Sequence, residues 1–593
     1  MGGGRVDRPK NSRATLIRLA RYLLAFKYQL VLVGSATVAS SVLSLFGPYL
    51  LGVAIDRYML RGDVPGLFSI ALLMLGIFAS SWAAQAVQGV LMASISQKAL
   101  SSLRRELFNH LQTLSLSFFD KRTQGELMSR LTNDMDAISN ALTQNVTQLA
   151  SGVLSIVGIV VAMFLLNVWL ALGSLLVLPL MVLVTAYIGS KTLAGFRRLQ
   201  MQLGQLNGSI EESISGERVV QAFSQQKQVL DRFDRANTAV KDAAIRANSY
   251  AFIIQPLVNV MSTVSIAVVA GLGGLLALMN LITIGVIAAF ITYARNFVQP
   301  LRQIADLYSS IQTALAGAER VFEIMDERPE ITDKPGAVPL EGIKGEVVFD
   351  HVNFSYIPGI PVLKDVSFRA EPGETIALVG PTGAGKTTMV NVLGRFYDIN
   401  GGSITIDGHD IRDVQKDSLR RQVGAVLQDN FLFADTIIEN IRYGRLEATD
   451  EECMAAAGLA NADQFITRLP QGYRSVLTER GSNLSQGQRQ LLAIARAIVA
   501  DPKILILDEA TSSVDTRTEI RLQDALLRLM KGRTSFVIAH RLSTIRKANQ
   551  LLVIRDGEIV ERGTHESLLA QKGFYYQLYV SQFKKTSADL LVL

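Results

Sequence analysis

Apolar residues gather into six long blocks in the first half of the chain, and after residue 345 the pattern changes to short strand-like and helix-like blocks in alternation. A helix needs about 20 apolar residues to cross a hydrocarbon layer of ~30 Å at ~1.5 Å rise per residue. The pattern predicts such spans near 29–54, 66–90, 146–166, 168–190, 252–278 and 281–300. Only Asn167 separates the third from the fourth, and only Met279-Asn280 the fifth from the sixth. Each pair reads as a tight hairpin, because a single helix of ~40 apolar residues would overshoot the bilayer.

The segments after spans two and four are roughly 50 residues each, far longer than ordinary turns. One carries Lys98, Arg104, Arg105, Lys121, Arg122 and Arg130, the other Lys191, Arg197, Arg198 and Arg218. Positive residues stay on the cytoplasmic side, which predicts that both loops, the N-terminus and everything after span six lie inside a cytoplasmic membrane. Both loops are rich in helix formers, so they extend the spans beyond the lipid. Each is broken once, at Ser117-Phe-Phe-Asp120 with Gly125 and at Ser213-Ile-Ser-Gly216. Such a break is either a short transverse helix that docks on a cytoplasmic domain or a plain hairpin turn. Upstream, Leu16, Leu19, Ala20 and Leu23 share one helical face with Arg13, Arg18 and Arg21 elsewhere, the pattern of a helix lying along the inner leaflet. The expected domains are a tail and interfacial helix at 1–28, a six-helix membrane domain at 29–325, a linker at 326–344 rich in Pro and Gly, and an α/β nucleotide-binding domain at 345–593.

Composition agrees with a chain partly in lipid: 49% of residues are hydrophobic, 19% are charged, and mean hydropathy is +0.27. A net charge of +7 points to no nucleic acid, since the basic residues fall mainly in loops between apolar blocks. The single Cys453 allows neither an internal disulfide nor a cysteine-based metal site, and it sits in a helical run as a small core residue. The basic start is not followed at once by a short apolar core, so no signal peptide is read. Val6 stands where a myristoylation motif wants Ser or Thr.

The chemistry concentrates after the linker. Gly380-Pro381-Thr382-Gly383-Ala384-Gly385-Lys386-Thr387 is a full phosphate-loop motif, preceded by strand-like Thr375–Val379 and followed, through Thr388, by helix-compatible residues. Backbone N–H groups and the positive end of the helix suit phosphate oxygens, Lys386 reaches the β and γ phosphates, and the Thr387 hydroxyl suits Mg²⁺. The alternative is a Gly-rich turn opening an ordinary helix. Ile504-Leu-Ile-Leu-Asp508-Glu509 is a buried strand ending in two acids, with Asp508 placed to support Mg²⁺ and Glu509 to meet the attacking water, or else a core strand with an exposed acidic pair. Just before it, Ser485 and the first amides of the following helix form a second anion site.

Together these residues resemble the ATP-binding-cassette superfamily, and the similarity extends over essentially the whole chain. Leu484-Ser485-Gln486-Gly487-Gln488 matches the signature segment, with Gln486 departing from its commonest form Leu-Ser-Gly-Gly-Gln. The resemblance implies that this segment closes over the γ-phosphate held by another cassette, so a chain with one cassette must dimerise. It also implies an adenine-stacking role for Tyr356, a sensor of Mg²⁺ and water at Gln428, a crossing segment ending at Asp515 and a switch histidine at His540. Six spans ahead of one cassette look like an exporter half-transporter, similar to the catalytically intact subunit of bacterial heterodimeric multidrug exporters; a homodimer is the alternative. Thr478-Glu-Arg-Gly481 resembles a segment with which such exporters touch their coupling loops. The expected activity is ATP-driven export of amphipathic drugs or lipids, with ATP and Mg²⁺ as cofactors. An ATP-gated channel and a non-transporting regulatory membrane ATPase are the rival readings. Within the spans, Arg295, Gln85, Gln88, Asn259, Thr292 and Tyr293 either line a cavity or bond and anchor the helices.

Overall fold

The computed structural model describes residues 11–427, 430–508, 516–539 and 542–581. Two compact units emerge: Met1–Thr113 with Thr123–Glu327, and Leu114–Arg122 with Arg328–Leu593.

The first unit is helical. Its helices are α1 (Ser12–Leu24), α2 (Lys27–Val53) and α3 (Val64–Leu111), followed, after the short α4 (Leu116–Asp120) that belongs to the second unit, by α5 (Gln124–Ser129) and α6 (Met135–Asn140). Next come α7 (Val146–Leu166), α8 (Val168–Leu175), α9 (Val177–Ser215), α10 (Glu217–Ala222), α11 (Gln226–Leu278) and α12 (Ile284–Asp326). Among the described residues, five helical stretches are long and apolar enough to cross a membrane, namely Lys27–Met59, Val64–Leu111, Gln124–Leu166, Val168–Ser215 and Gln226–Leu278. The sixth expected segment falls on α12. Because α3 has 48 residues, it runs roughly 72 Å at ~1.5 Å per residue, more than twice the hydrocarbon thickness.

Packing inside this unit is partly polar. Asn167 Oδ1 accepts from the Leu170 amide at 3.0 Å, which caps α8 and makes the turn between spans three and four. Tyr293 is buried and its hydroxyl donates to the Leu45 carbonyl at 2.6 Å, so it bonds a neighbouring helix near Pro48. Thr292 bonds the Ala288 carbonyl of its own helix, and Arg295 is exposed. Asp56 caps α12 from outside, accepting from the Gly285 amide at 2.8 Å and from the Thr283 hydroxyl. Buried Asp134 takes two guanidinium groups, Arg130 at 3.2 Å and Arg320, whose Nε lies at 3.1 Å. On α1, Leu19 is buried, Leu16, Ile17 and Leu24 are exposed, and Arg18 pairs with Asp326 at 2.7 Å.

Among its described residues the second unit holds ten strands: β1 (Val347–Phe354), β2 (Leu363–Ala370), β3 (Thr375–Val379), β4 (Gly401–Ile406), β5 (His409–Asp410), β6 (Val423–Val426), β7 (Ile504–Asp508), β8 (Thr534–Ile538), β9 (Gln550–Arg555) and β10 (Glu558–Gly563). Four form an antiparallel sheet in the order β2-β1-β4-β5, and six form a sheet in the order β10-β9-β3-β8-β7-β6. The second sheet is parallel except at its β10 edge. Parallel strands are covered on both faces, so they read as unbroken apolar runs. The pleat then sorts the residues. Ile504, Ile506, Phe536 and Ile538 enter one core with Met389, Val390 and Leu393. Leu505, Leu507 and Val537 enter another with Leu491, Leu492 and Ile494.

Candidate functional site

The phosphate-loop motif leaves β3 and opens α13 (Lys386–Leu393), so the strand, loop and helix order that the residues require is present. Two glycines have distinct reasons. A Cβ on Gly380 would lie 2.2 Å from the Ile554 carbonyl oxygen of neighbouring β9, so only a bare backbone passes there. Gly385 caps α13 at φ +106, a conformation that side-chain-bearing residues avoid. The first amides of α13 have no partner within their own helix and sit at its positive end. Lys386 is 8 % exposed, and its ammonium donates at 2.8 Å to the carbonyls of both Gly380 and Pro381. Burial pushes its pKa down, while the charge of Asp508 pulls it back up. These hydrogen-bond partners are neutral, so the buried ammonium has no anionic partner within its own loop. Thr387 is exposed, whereas Thr388 is buried and receives the Tyr356 hydroxyl at 3.3 Å.

Asp508 ends β7. Only β8 separates β7 from β3, which puts the acid's strand roughly 10 Å, two inter-strand spacings, from the phosphate-loop strand. The carboxyl ends of β3, β8, β7 and β6 are consecutive along the sheet edge, the place where parallel sheets bind ligands. Gln428, Glu509, Asp515 and His540 lie outside the described residues. In sequence they follow β6, β7 and β8 closely.

The second predicted anion site is built differently from a bare helix end. Ser485 caps the helix Gln486–Ala500, its Oγ accepting from the Gln488 amide at 3.3 Å while Gln488 Oε1 accepts from the Ser485 amide at 2.9 Å. Gln488 is therefore engaged in holding Ser485 in place, and Gly487 is buried behind it. That helix packs into the core on one face of the six-stranded sheet, and α13 packs into the core on the other. The two helix starts expected to bind anions thus sit on opposite faces.

Sequence reasoning missed Arg395 and Tyr397, in Gly394-Arg-Phe-Tyr-Asp398 just after α13. Arg395 is 2 % exposed and its guanidinium binds the carbonyls of Ile411, Val414 and Thr332, stitching the chain after α12 to the strands. A run of charged and aromatic residues directly behind a phosphate-loop helix was the available signal. Cys453 is buried as expected, and burial pushes its thiol pKa up.

Comparison with known proteins matches residues 30–301 to the ABC transporter transmembrane region and residues 363–512 to the ABC transporter domain. The chain is 45% identical over 584 residues, 98% of its length and 97% of the relative's, to the protein called Uncharacterized ABC transporter ATP-binding protein YfiC of Bacillus subtilis. It is 46% identical over 482 residues, 81% of its length and 76% of the relative's, to a fatty acid ABC transporter ATP-binding/permease protein of Mycobacterium tuberculosis. With an ATP-dependent lipid A-core flippase of Syntrophus aciditrophicus it shares 40% identity over 537 residues, 91% of its length and 89% of the relative's.

Proposed function

The chain belongs to the ABC transporter family, as a membrane-spanning region joined to an ATPase cassette that couples ATP hydrolysis to transport, and we propose that it is one half of a dimeric exporter of amphipathic lipids or drugs across the cytoplasmic membrane. The observation that carries the dimer is the placement of α13 and the helix Gln486–Ala500 on opposite faces of one sheet. A single chain then cannot close its own Ser485 amides over a phosphate held by its own Lys386. Two cassettes facing head to tail can, each lending its signature to the other's nucleotide.

In this reading Tyr356 stacks on adenine, the amides of 380–388 and Lys386 cradle the phosphates, and Ser485, Gly487, Gln488 and Asp515 act on the partner's nucleotide. Thr387, Asp508 and Gln428 would hold Mg²⁺, which would supply charge neutralisation to the bound phosphates. Glu509 accepts the proton of the attacking water, and His540 steadies the γ-phosphate. Binding of ATP draws the cassettes together and the spans open outward; hydrolysis resets them. Relatives named for fatty acid and for lipid A-core support an acyl-chain cargo. A heterodimer is favoured because Glu509 is present while Gln486 departs from the usual signature.

ATP-dependent uptake of a labelled lipid into inside-out proteoliposomes tests the proposal, with Glu509→Gln as the comparison. Flux that needs ATP and is lost in E509Q, with ATP still bound, supports an exporter. Flux that runs only down its gradient points to a channel, and no flux to a regulatory ATPase. ATPase activity of this chain expressed alone, at the level of the assembled transporter, would refute the heterodimer.

A further inference from the structure

Tyr356 stands just beyond β1, 41 % exposed, and two rings meet it edge-on. Phe354 does so at 4.8 Å and 87°, and Tyr397 at 4.9 Å and 89° between centroids and planes. Its hydroxyl faces Thr388 Oγ1 at 3.3 Å and Asn391 Nδ2 at 3.4 Å, both on α13. Tyr397 itself is buried, and its hydroxyl donates to the carboxylate of Asp120 at the end of α4. Burial and the facing carboxylates of Asp120 and Glu330 push the Tyr397 pKa up, so it stays a hydrogen-bond donor. The same short helix is held at two further points. Its Ser117 hydroxyl donates to Glu330, and Phe118 is buried with the Arg122 guanidinium 4.3 Å over its ring. All these residues belong to one compact unit, in which residues 114–122 group with the cassette although α3 and α5 on either side do not.

We infer that Tyr397 is a positioning residue that passes the state of the base site at Tyr356 to α4, through one aromatic edge contact and one hydrogen bond. The inference rests on the reading of Tyr356 as the adenine-stacking ring. A base laid on the open face of Tyr356 fixes that ring, and an edge-to-face pair at 4.9 Å transmits the ring's position to its neighbour. The packed Tyr397 ring follows as a body, and its hydroxyl either carries Asp120 with it or loses the bond. The chain after span two thereby senses the base independently of Gln428, read as the sensor of Mg²⁺ and water, and of His540, read as the γ-phosphate switch. The sensing path has only three side chains, Tyr356, Tyr397 and Asp120.

Hydrogen exchange of the peptide covering 114–122, measured on the full-length protein in lipid nanodiscs, tests this. Magnesium-ATP is expected to slow exchange of that peptide, and magnesium tripolyphosphate, which has no base, is expected not to. Tyr397→Phe keeps the ring and removes the hydroxyl. It should lose at least two-thirds of the ATP response with ATP affinity within about twofold of the parent. Asp120→Asn retains an acceptor oxygen and should retain the response, whereas Asp120→Ala should lose it. A full response in both Y397F and D120A, an equal response to tripolyphosphate, or a tenfold loss of ATP affinity in Y397F would overturn the relay. Tyr356→Ala separates the two claims, because unchanged ATP affinity in that variant removes the adenine assignment whatever the exchange of 114–122 shows.

Discussion

Three glycines of the phosphate loop differ in why they are glycine, and alanine at each should produce a graded series. At Gly383 φ is +83 and a Cβ would meet nothing within 4 Å, so alanine carries backbone strain alone, about 1 kcal/mol. At Gly385 φ is +106, and the Cβ would also lie 3.0 Å from Leu363 Cδ2 and 3.3 Å from the Val362 carbonyl oxygen. Leu363 is fully buried in the first cassette core and has little room to yield, so strain and overpacking together come to about 2–4 kcal/mol. At Gly380 φ is ordinary, but the Cβ would sit 2.2 Å from a backbone oxygen of a paired strand. Relief there means moving β3 against β9, about 3 kcal/mol or more. One kcal/mol lowers the melting midpoint of a domain of this size class by about 2–4 °C. Thermal unfolding of the full-length protein, followed by cassette tryptophan-free probes such as a bound fluorescent nucleotide and by circular dichroism, should therefore rank Gly383→Ala mildest, with Gly385→Ala and Gly380→Ala several degrees lower. ATP affinity should fall in all three, because each displaces the amides that hold phosphate. A Gly383→Ala midpoint as low as that of Gly380→Ala would refute the separation of strain from steric contact.

Further outcomes follow from other sites. Asp134→Asn leaves Arg130 and Arg320 facing a neutral amide. Discounting for guanidinium exposures of 21% and 30%, it should cost about 1–3 kcal/mol, seen as a lowered melting midpoint that Asp134→Glu partly restores. His565 is buried against Tyr575, with 2.6 Å between Nδ1 and Oη, and burial pushes its pKa down. The unfolded state then binds the proton more readily, so stability should fall as pH drops below about 6.5 and level off above it. Equal pH slopes for the parent and His565→Asn would sink that account. Glu509→Gln should retain ATP binding and slow hydrolysis by at least a hundredfold in the assembled transporter, read as phosphate release; near-parental turnover would remove Glu509 as the base.

The sequence was most legible where function is carried by contiguous residues. The phosphate loop, the Asp508 strand and the Ser485 helix start are each local, and their backbone requirements are met by neighbours in the chain. Helix lengths were legible in outline. The expected extension of the span 66–90 beyond the lipid is present, α3 continuing to Leu111, because polar helix formers keep their backbone bonds in water as well as in lipid. Gln488 showed only as part of a motif, and its reciprocal bond with Ser485 needed the folded geometry.

Amino-acid order alone determined that this chain has apolar helical spans followed by a phosphate-binding α/β cassette, since hydrophobic period and Gly-Lys-Thr spacing are local properties. Tertiary structure decided which local pieces meet. The pleat of one sheet sent α13 and the signature helix to opposite faces. The fold also joined Tyr397 to Asp120 across 277 residues of chain. Neither follows from periodicity, because a contact between distant residues is set by how whole elements pack and by which buried polar groups must find partners.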